Sequence, residues 1–273
     1  MSSIEVDTSG FGAFAGPVLR AQDDDCFTFQ IAEHHLNGAD RLHGGMMMTL
    51  ASIVLGQVAK DAIAAKQAGA SLRPLSLNCD FVSAGEKGET VEGRAEVTRA
   101  FYFRRTQCRR PHADDGDGGL CHRAAERGMS GGLPSPIIVA PPRGWSTVVP
   151  HDPFEAYVGP LFERLDDDGA RIFGFIADKR HVNEDGAVHE GMMMTFADAF
   201  LGGAAHRGAD EKPCVTLSLQ ASFLGDANAG DLVECRTKLE RKTRTIVFVS
   251  GRFSVDGEDI MTATSLWKVL GAR

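Results

Sequence analysis

The sequence predicts an α+β protein made of two tandem copies of one unit, each an antiparallel sheet wrapped around a buried central helix. Three observations predict it: a repeat spanning most of the 273 residues, a long apolar segment in each copy, and alternating segments after it. HGGMMMTLA at 43–51 returns as HEGMMMTFA at 189–197, with seven of nine residues identical. Upstream, Phe11, Phe14, Gly16 and Pro17 return 143 positions later as Phe154, Tyr157, Gly159 and Pro160. At an offset of 146, Phe27, Phe29, His35, Asn37 and His43 match Phe173, Phe175, His181, Asn183 and His189. Downstream, PLSLNCDFVSAG (74–85) aligns with TLSLQASFLGDA (216–227) at an offset of 142. Matches kept in this order mean tandem duplication, and they divide the chain into units at 1–140 and 141–273.

Each element follows from its pattern. From Met46 to about Ala68, and from Met192 to about Arg207, the chain is rich in Ala, Leu and Met and lacks proline, which suits a helix buried on most sides. Leu217, Leu219, Ala221 and Phe223 then alternate with Ser218, Gln220 and Ser222. Two further strands are expected over 245–255 and 258–267, joined by an Asp256-Gly257 turn. A helix buried that fully beside a sheet requires the sheet to curl around it.

The first copy departs from this plan. Its last two strands belong near 103–127, yet residues 104–136 contain no Val, Ile or aromatic residue and one β-branched residue, Thr106. The first unit is thus expected to fall short of its last two strands. Two explanations stand open: an Arg/Gly/Asp-rich insertion, with IIVA (137–140) and STVV (146–149) taking over as strands, or a local reading-frame change. Resequencing codons 100–145 separates them, since an unaltered frame removes the second.

Composition narrows the function classes. A net charge of −8 disfavours a nucleic-acid partner. The acidic start MSSIEVDTSG lacks the marks of a secretion signal, and no run of about 18 uninterrupted apolar residues occurs, so a cytoplasmic protein without a membrane span is expected. Cys26, Cys79, Cys108, Cys121, Cys214 and Cys235 form no CxxC pair and read as free thiols. Cys108, His112, Cys121 and His122 match no familiar zinc spacing, and GDGG (116–119) follows no strand, so neither a metal nor a dinucleotide is expected.

The repeated motif carries the chemistry. His43-Gly44-Gly45 opens the first helix, where unpaired N–H groups and the helix dipole can hold a carbonyl oxygen as it becomes negative. The second copy reads His189-Glu190-Gly191, placing a charged side chain at that opening. Asn37 and Asn183, six residues upstream of the histidines, supply an amide able to orient a water or a carbonyl. Asp198 is the one acid between Met192 and Ala205 and is therefore exposed to burial and a raised pKa, as suits a general base. Its counterpart in the first copy is Ser52. Asp198 lies eight residues past Glu190, roughly 12 Å along its own helix, so one copy cannot make a site alone. Antiparallel packing of the two helices instead brings Asp198 to Gly44. One composite site then contains Asn37, His43, Gly44 and Asp198, and a degenerate one contains Asn183, His189, Glu190 and Ser52.

The spacing Asn-x5-His-[Gly/Glu]-Gly-x6-Ala-Asp, followed by a buried helix and antiparallel strands, resembles the hotdog-fold acyl-CoA thioesterases of the PaaI-like group. The resemblance covers both copies and implies a double-hotdog chain that hydrolyses an acyl-CoA without a cofactor and admits pairing of two chains into a homodimer. It implies that the Gly44 N–H polarises the thioester carbonyl and that Asp198 is base or nucleophile. It further implies that Thr216, the hydroxyl residue after the helix, helps to place water. Pro74 at the equivalent position in the first copy agrees with a single working site. Arg241, Lys242 and Arg244, at a turn between strands, are the implied contacts for CoA phosphates. The alternative is a non-catalytic acyl-CoA-binding or regulatory module. A hydratase is disfavoured because neither Asp40 and His43 nor Asp185 and His189 have the Asp-x4-His spacing.

Overall fold

The computed structural model describes residues 3–22, 26–64, 72–97 and 139–271. The first copy runs β1 (Ser3–Val6), α1 (Gly10–Ala15), β2 (Val18–Ala21), β3 (Cys26–Gln30), α2 (Gly44–Ala64), β4 (Ser76–Asp80) and β5 (Thr90–Arg94). The second runs β6 (Ser146–Thr147), α3 (Pro153–Val158), β7 (Phe162–Leu165), β8 (Arg171–Ile176), α4 (Glu190–Gly208), β9 (Cys214–Phe223), β10 (Leu232–Lys242), β11 (Ile246–Val255) and β12 (Glu258–Val269). Both long helices begin two residues before the expected methionine, because the preceding histidine caps them: Gly191 N–H donates to His189 Nδ1 at 2.9 Å, and Gly45 N–H to His43 Nδ1 at the same distance.

The second copy is a complete hotdog. Strands β9, β12, β11, β10, β8 and β7 form one antiparallel sheet whose alternating inward residues, among them Val249, Phe253, Met261 and Trp267, close around α4. Phe196 of α4 stacks on Phe175 of β8 with ring centroids 3.5 Å apart, and both are fully buried. Burying side chains of this size favours folding by about 1.5–3 kcal/mol each.

Among the described residues of the first copy there is no counterpart of β11 or β12. Its strands β5, β3, β2 and β1 form a separate four-stranded sheet, while β4 joins the second copy's sheet through β9. Residues 98–138, which contain the irregular stretch, Cys108, His112, Cys121, His122 and GDGG, lie outside the described residues. Of STVV, Ser146 and Thr147 form a strand that pairs with β7 and so extends the second sheet, not the first. Of IIVA, residues 139–140 are in no strand and the first two lie outside the described residues. Two glycines contrast the helices. A Cβ at Gly202 would lie 2.8 Å from the Trp267 ring, whereas a Cβ at Gly56, its counterpart 146 positions earlier, would meet nothing within 4 Å among the described residues. Residues Gly44–Ile63 are long and apolar enough to cross a membrane, but in the fold this helix packs on α4 and buries Met46, Met48 and Leu50.

A pseudo-twofold axis relates the copies. Ser76 pairs with Ser222 and Asp80 with Ser218, so the axis passes through the Asn78–Gln220 pair. On the helices it passes between Thr49 and Thr195, whose hydroxyls are 3.2 Å apart; each also donates across the interface, Thr49 to Gly191 O and Thr195 to Gly45 O. Helices α2 and α4 are thereby antiparallel over their first turns. Phe14 stacks on Tyr157 at 4.2 Å, and the Tyr157 hydroxyl donates to Phe14 O.

Candidate active site at the repeat interface

The axis brings Asp198 to the start of α2. Its Oδ2 accepts the Gly45 N–H at 3.0 Å, and its Oδ1 accepts the Thr216 hydroxyl at 2.8 Å. The carboxylate lies so close to Gly44 that a Cβ there would be 2.7 Å from Oδ2, which makes glycine the one residue that fits. The Gly44 N–H itself has no hydrogen-bond partner among the described residues. Asp198 is 5% exposed. Burial raises its pKa, and His43, Thr216 and the Gly45 N–H oppose that rise without cancelling it.

His43 sits behind the glycines. Its Nδ1 accepts the Gly45 N–H and lies 3.4 Å from Asp198 Oδ2, while its Nε2 lies 3.4 Å from Oδ2 of Asp152. Burial alone lowers the pKa of the ring, but Asp152, Asp198 and Glu155 outweigh it and hold the value up at about 9. Asp152 and Glu155 are residues that the sequence reading missed. Asp152 caps α3, accepting Glu155 N–H at 2.8 Å, with Pro153 in the first turn, and Glu155 Oε2 accepts His151 N–H at 2.9 Å. The helix-start signature Asp-Pro-x-Glu was legible, but nothing local says that it faces His43. Donor atoms of His43, Asp152 and Glu155 lie within 4.8 Å of one another. Both carboxylates already accept backbone N–H groups, so the cluster is satisfied as a hydrogen-bond network without an ion.

Other expected residues are placed differently. Asn37 Oδ1 accepts the N–H groups of Ala39 and Arg41 at 2.9 and 3.1 Å, so its oxygen shapes the loop before His43 and only its NH₂ is left for a ligand. Asn183 repeats this with Asp185 and Ala187. Arg241, Lys242 and Arg244 are exposed at the β10–β11 hairpin, and Lys242 pairs with Asp210 just past α4, more than ten residues and roughly 15 Å along the helix from Asp198.

The mirror-image site is built of other parts. His189 Nδ1 accepts Gly191 N–H and its Nε2 lies 3.0 Å from Asp7, but Ser52 makes no hydrogen bond to that end among the described residues. A cleft of about 200 Å³ lies there, bounded by Asn183, Glu190, Met193, Phe223, Ile260 and Arg73.

Two curled sheets with antiparallel core helices, and a buried acid facing a glycine helix start, define a tandem hotdog protein. The sequence profile of the thioesterase superfamily matches residues 40–105 and 185–261, more than half of the chain. The chain belongs to the thioesterase superfamily. A Pseudomonas aeruginosa protein described only provisionally as an esterase is 30% identical over 125 residues, covering 45% of this chain and 92% of the relative. Among solved structures, a phenylacetic acid degradation-related protein of Ralstonia eutropha is 33% identical, with a TM-score of 0.36 over 39% of this chain and 83% of its own. A hypothetical thioesterase protein of Streptococcus pneumoniae, solved with coenzyme A, is 19% identical, with a TM-score of 0.38 over 41% of this chain and 90% of its own.

Proposed function

We propose that the chain hydrolyses an acyl-CoA to the free acid and CoA at one composite site between its two units, 1–140 and 141–273. The observation that carries this reading is the buried Asp198 carboxylate, held between the Gly45 N–H and Thr216 beside the unpaired Gly44 N–H of the other copy. The thioester carbonyl accepts the Gly44 N–H at the positive end of α2, which stabilises the oxyanion of the tetrahedral intermediate. Asp198 either takes a proton from an attacking water or attacks the carbonyl carbon itself; in both routes the C–S bond breaks and CoA leaves as thiolate, and in the second water then cleaves the acyl–Asp198 anhydride to release the acid and restore the carboxylate. Thr216 orients the carboxylate, His43 holds the glycine turn, and the Asn37 NH₂ is left to donate to a water or a carbonyl. The exposed Arg241, Lys242 and Arg244 offer charge to CoA phosphates.

The second site keeps its cleft but has Ser52 in place of the acid, Glu190 at the opening and Pro74 in place of the hydroxyl. This favours binding without hydrolysis there, and it is the ground for the alternative reading of the whole chain as an acyl-CoA-binding module. Thiol release from benzoyl-CoA and octanoyl-CoA separates the two. Hydrolysis lost in Asp198→Asn and retained in Ser52→Asp, assayed at a temperature where that variant is folded, supports the single composite site. Binding of both thioesters with no release by the unaltered protein leaves only the module.

A further inference from the structure

We propose that Asp152, contributed by the second copy, is a positioning residue for the first copy's half of the site: it orients the ring of His43 and, through that ring, the carboxylate of Asp198. The inference rests on the catalytic reading of Asp198 and extends it to a residue outside the repeated motif.

The geometry is a chain of contacts. The Gly45 N–H is shared, 2.9 Å from His43 Nδ1 and 3.0 Å from Asp198 Oδ2. With Nδ1 accepting that N–H, the proton of a neutral ring stands on Nε2, toward Asp152 at 3.4 Å. When a second proton arrives on Nδ1, it faces Asp198 Oδ2 at 3.4 Å, and the Gly45 N–H keeps Asp198 as its acceptor. Either way the ring orientation is fixed from behind by Asp152, whose side chain is 8% exposed and anchored as the cap of α3. The ionisable groups facing His43 are Asp198 from α4 and Asp152 and Glu155 from α3. A cationic His43 favours ionised Asp198, while Asp152 itself opposes that ionisation by like charge, so what Asp152 contributes to Asp198 is the placement of the His43 ring.

The mirror site supplies an internal control. There His189 also has a carboxylate from the other copy at Nε2, but it is Asp7, two residues before Ser9, which precedes α1 without a side-chain capping bond. Gly12 occupies the place of Glu155, and no acid stands where Asp198 does. Bracing a histidine is therefore common to both sites, whereas the double carboxylate behind it is confined to the one with a base in front.

The test compares Asp152→Asn and Asp152→Ser with Asp7→Asn in the full chain. Asn and Ser both keep a helix cap and remove the charge, so α3 is retained. The imidazole of His43 is followed by NMR, assigned through loss of its resonance in His43→Gln, and the pH profile of thiol release is measured with benzoyl-CoA. In both Asp152 variants the His43 pKa falls by about one unit or more. kcat drops about tenfold with KM unchanged, because the ring and the carboxylate beside it lose their fixed orientation. Asp7→Asn moves neither. A His43 titration unmoved by loss of Asp152 overturns the inference, as does an equal shift in Asp7→Asn, which marks a general structural effect. If the unaltered protein releases no thiol, the hydrolase reading falls, while the His43 titration still decides whether Asp152 governs the ring.

Discussion

Replacing Gly44 by alanine tests the site at its tightest point. The added Cβ would stand 2.7 Å from Asp198 Oδ2 and 3.2 Å from both Cγ and Oδ1. Contacts under 3 Å cannot persist, so the carboxylate must leave the Gly45 N–H, the Thr216 hydroxyl, or both. Each hydrogen bond to a charged group is worth about 1.5–3 kcal/mol, and the gain in helix propensity from Gly to Ala returns at most about 1 kcal/mol. Stability should fall by about 1–3 kcal/mol, a decrease of a few degrees in Tm for a chain of this size. The effect on hydrolysis should be larger. The methyl group stands where a carbonyl oxygen must approach the Gly44 N–H, and losing one such donor costs about 10²- to 10³-fold in kcat. Thiol release and thermal unfolding on the same preparation give both quantities. A Gly44→Ala protein that hydrolyses within twofold of the unaltered rate would refute the placement of substrate at this helix start.

Three further outcomes follow from the same structure. The raised pKa of Asp198 means that its ionised form strains the fold: the stability it allows is full below the ordinary carboxylate range and lost as pH rises through the raised value. Asp198→Asn should therefore unfold at a higher temperature than the unaltered protein at pH 8, by about 1.4 kcal/mol per unit of raised pKa, with the gap closing as the pH falls. His35 and His181 behave oppositely, because burial holds them at about 3 and about 4. Their neutral rings accept backbone N–H groups, so their contribution is present above the unfolded value of about 6.5 and is lost as pH falls below it, by about 2 kcal/mol each at pH 5. A denaturant midpoint that rises between pH 7 and pH 5 in the Asp198→Asn background would contradict this. Finally, Gly202→Ala should destabilise by about 1–3 kcal/mol against the Trp267 ring, whereas Gly56→Ala should stabilise by up to about 1 kcal/mol, both read by chemical unfolding.

Local pattern carried the elements, and the repeat carried their placement. The alternation over 217–223 and the run from Glu258 predicted strands that the structure extends to Cys214–Phe223 and Glu258–Val269. The meeting of Gly44 and Asp198 was also legible, since a helix rises by a fixed amount per residue and a duplicated helix pair has an axis between its halves. What was not legible depends on partners distant in sequence. Strand β4 reads the same whether it joins its own sheet or β9 of the other copy, because ladder hydrogen bonds are made by any backbone. Asp152 reads as a helix cap, and it is one; its second task facing His43 arises only where two copies meet. Asn37 was legible only in part for a related reason: an Asn before a turn can bond its own loop through its side-chain oxygen, and both copies do so.

Fusion of the two copies explains how the halves could part ways. In a dimer of identical units each glycine helix start would face an acid, and any change would enter both sites together. In one chain, Glu190 occupies the position whose counterpart must be glycine because Asp198 lies against it. Glu190 is tolerated because the residue opposite is the half-buried Ser52, whose side chain brings no second carboxylate to that helix end. The two differences are thus one: placing an acid at 52 with Glu190 retained sets two carboxylates against each other in a closed interface. Ser52→Asp should destabilise the chain, and Glu190→Gly in the same background should relieve the loss. Failure of the second change to restore stability, read by thermal unfolding, would show that the two positions do not face each other across the axis.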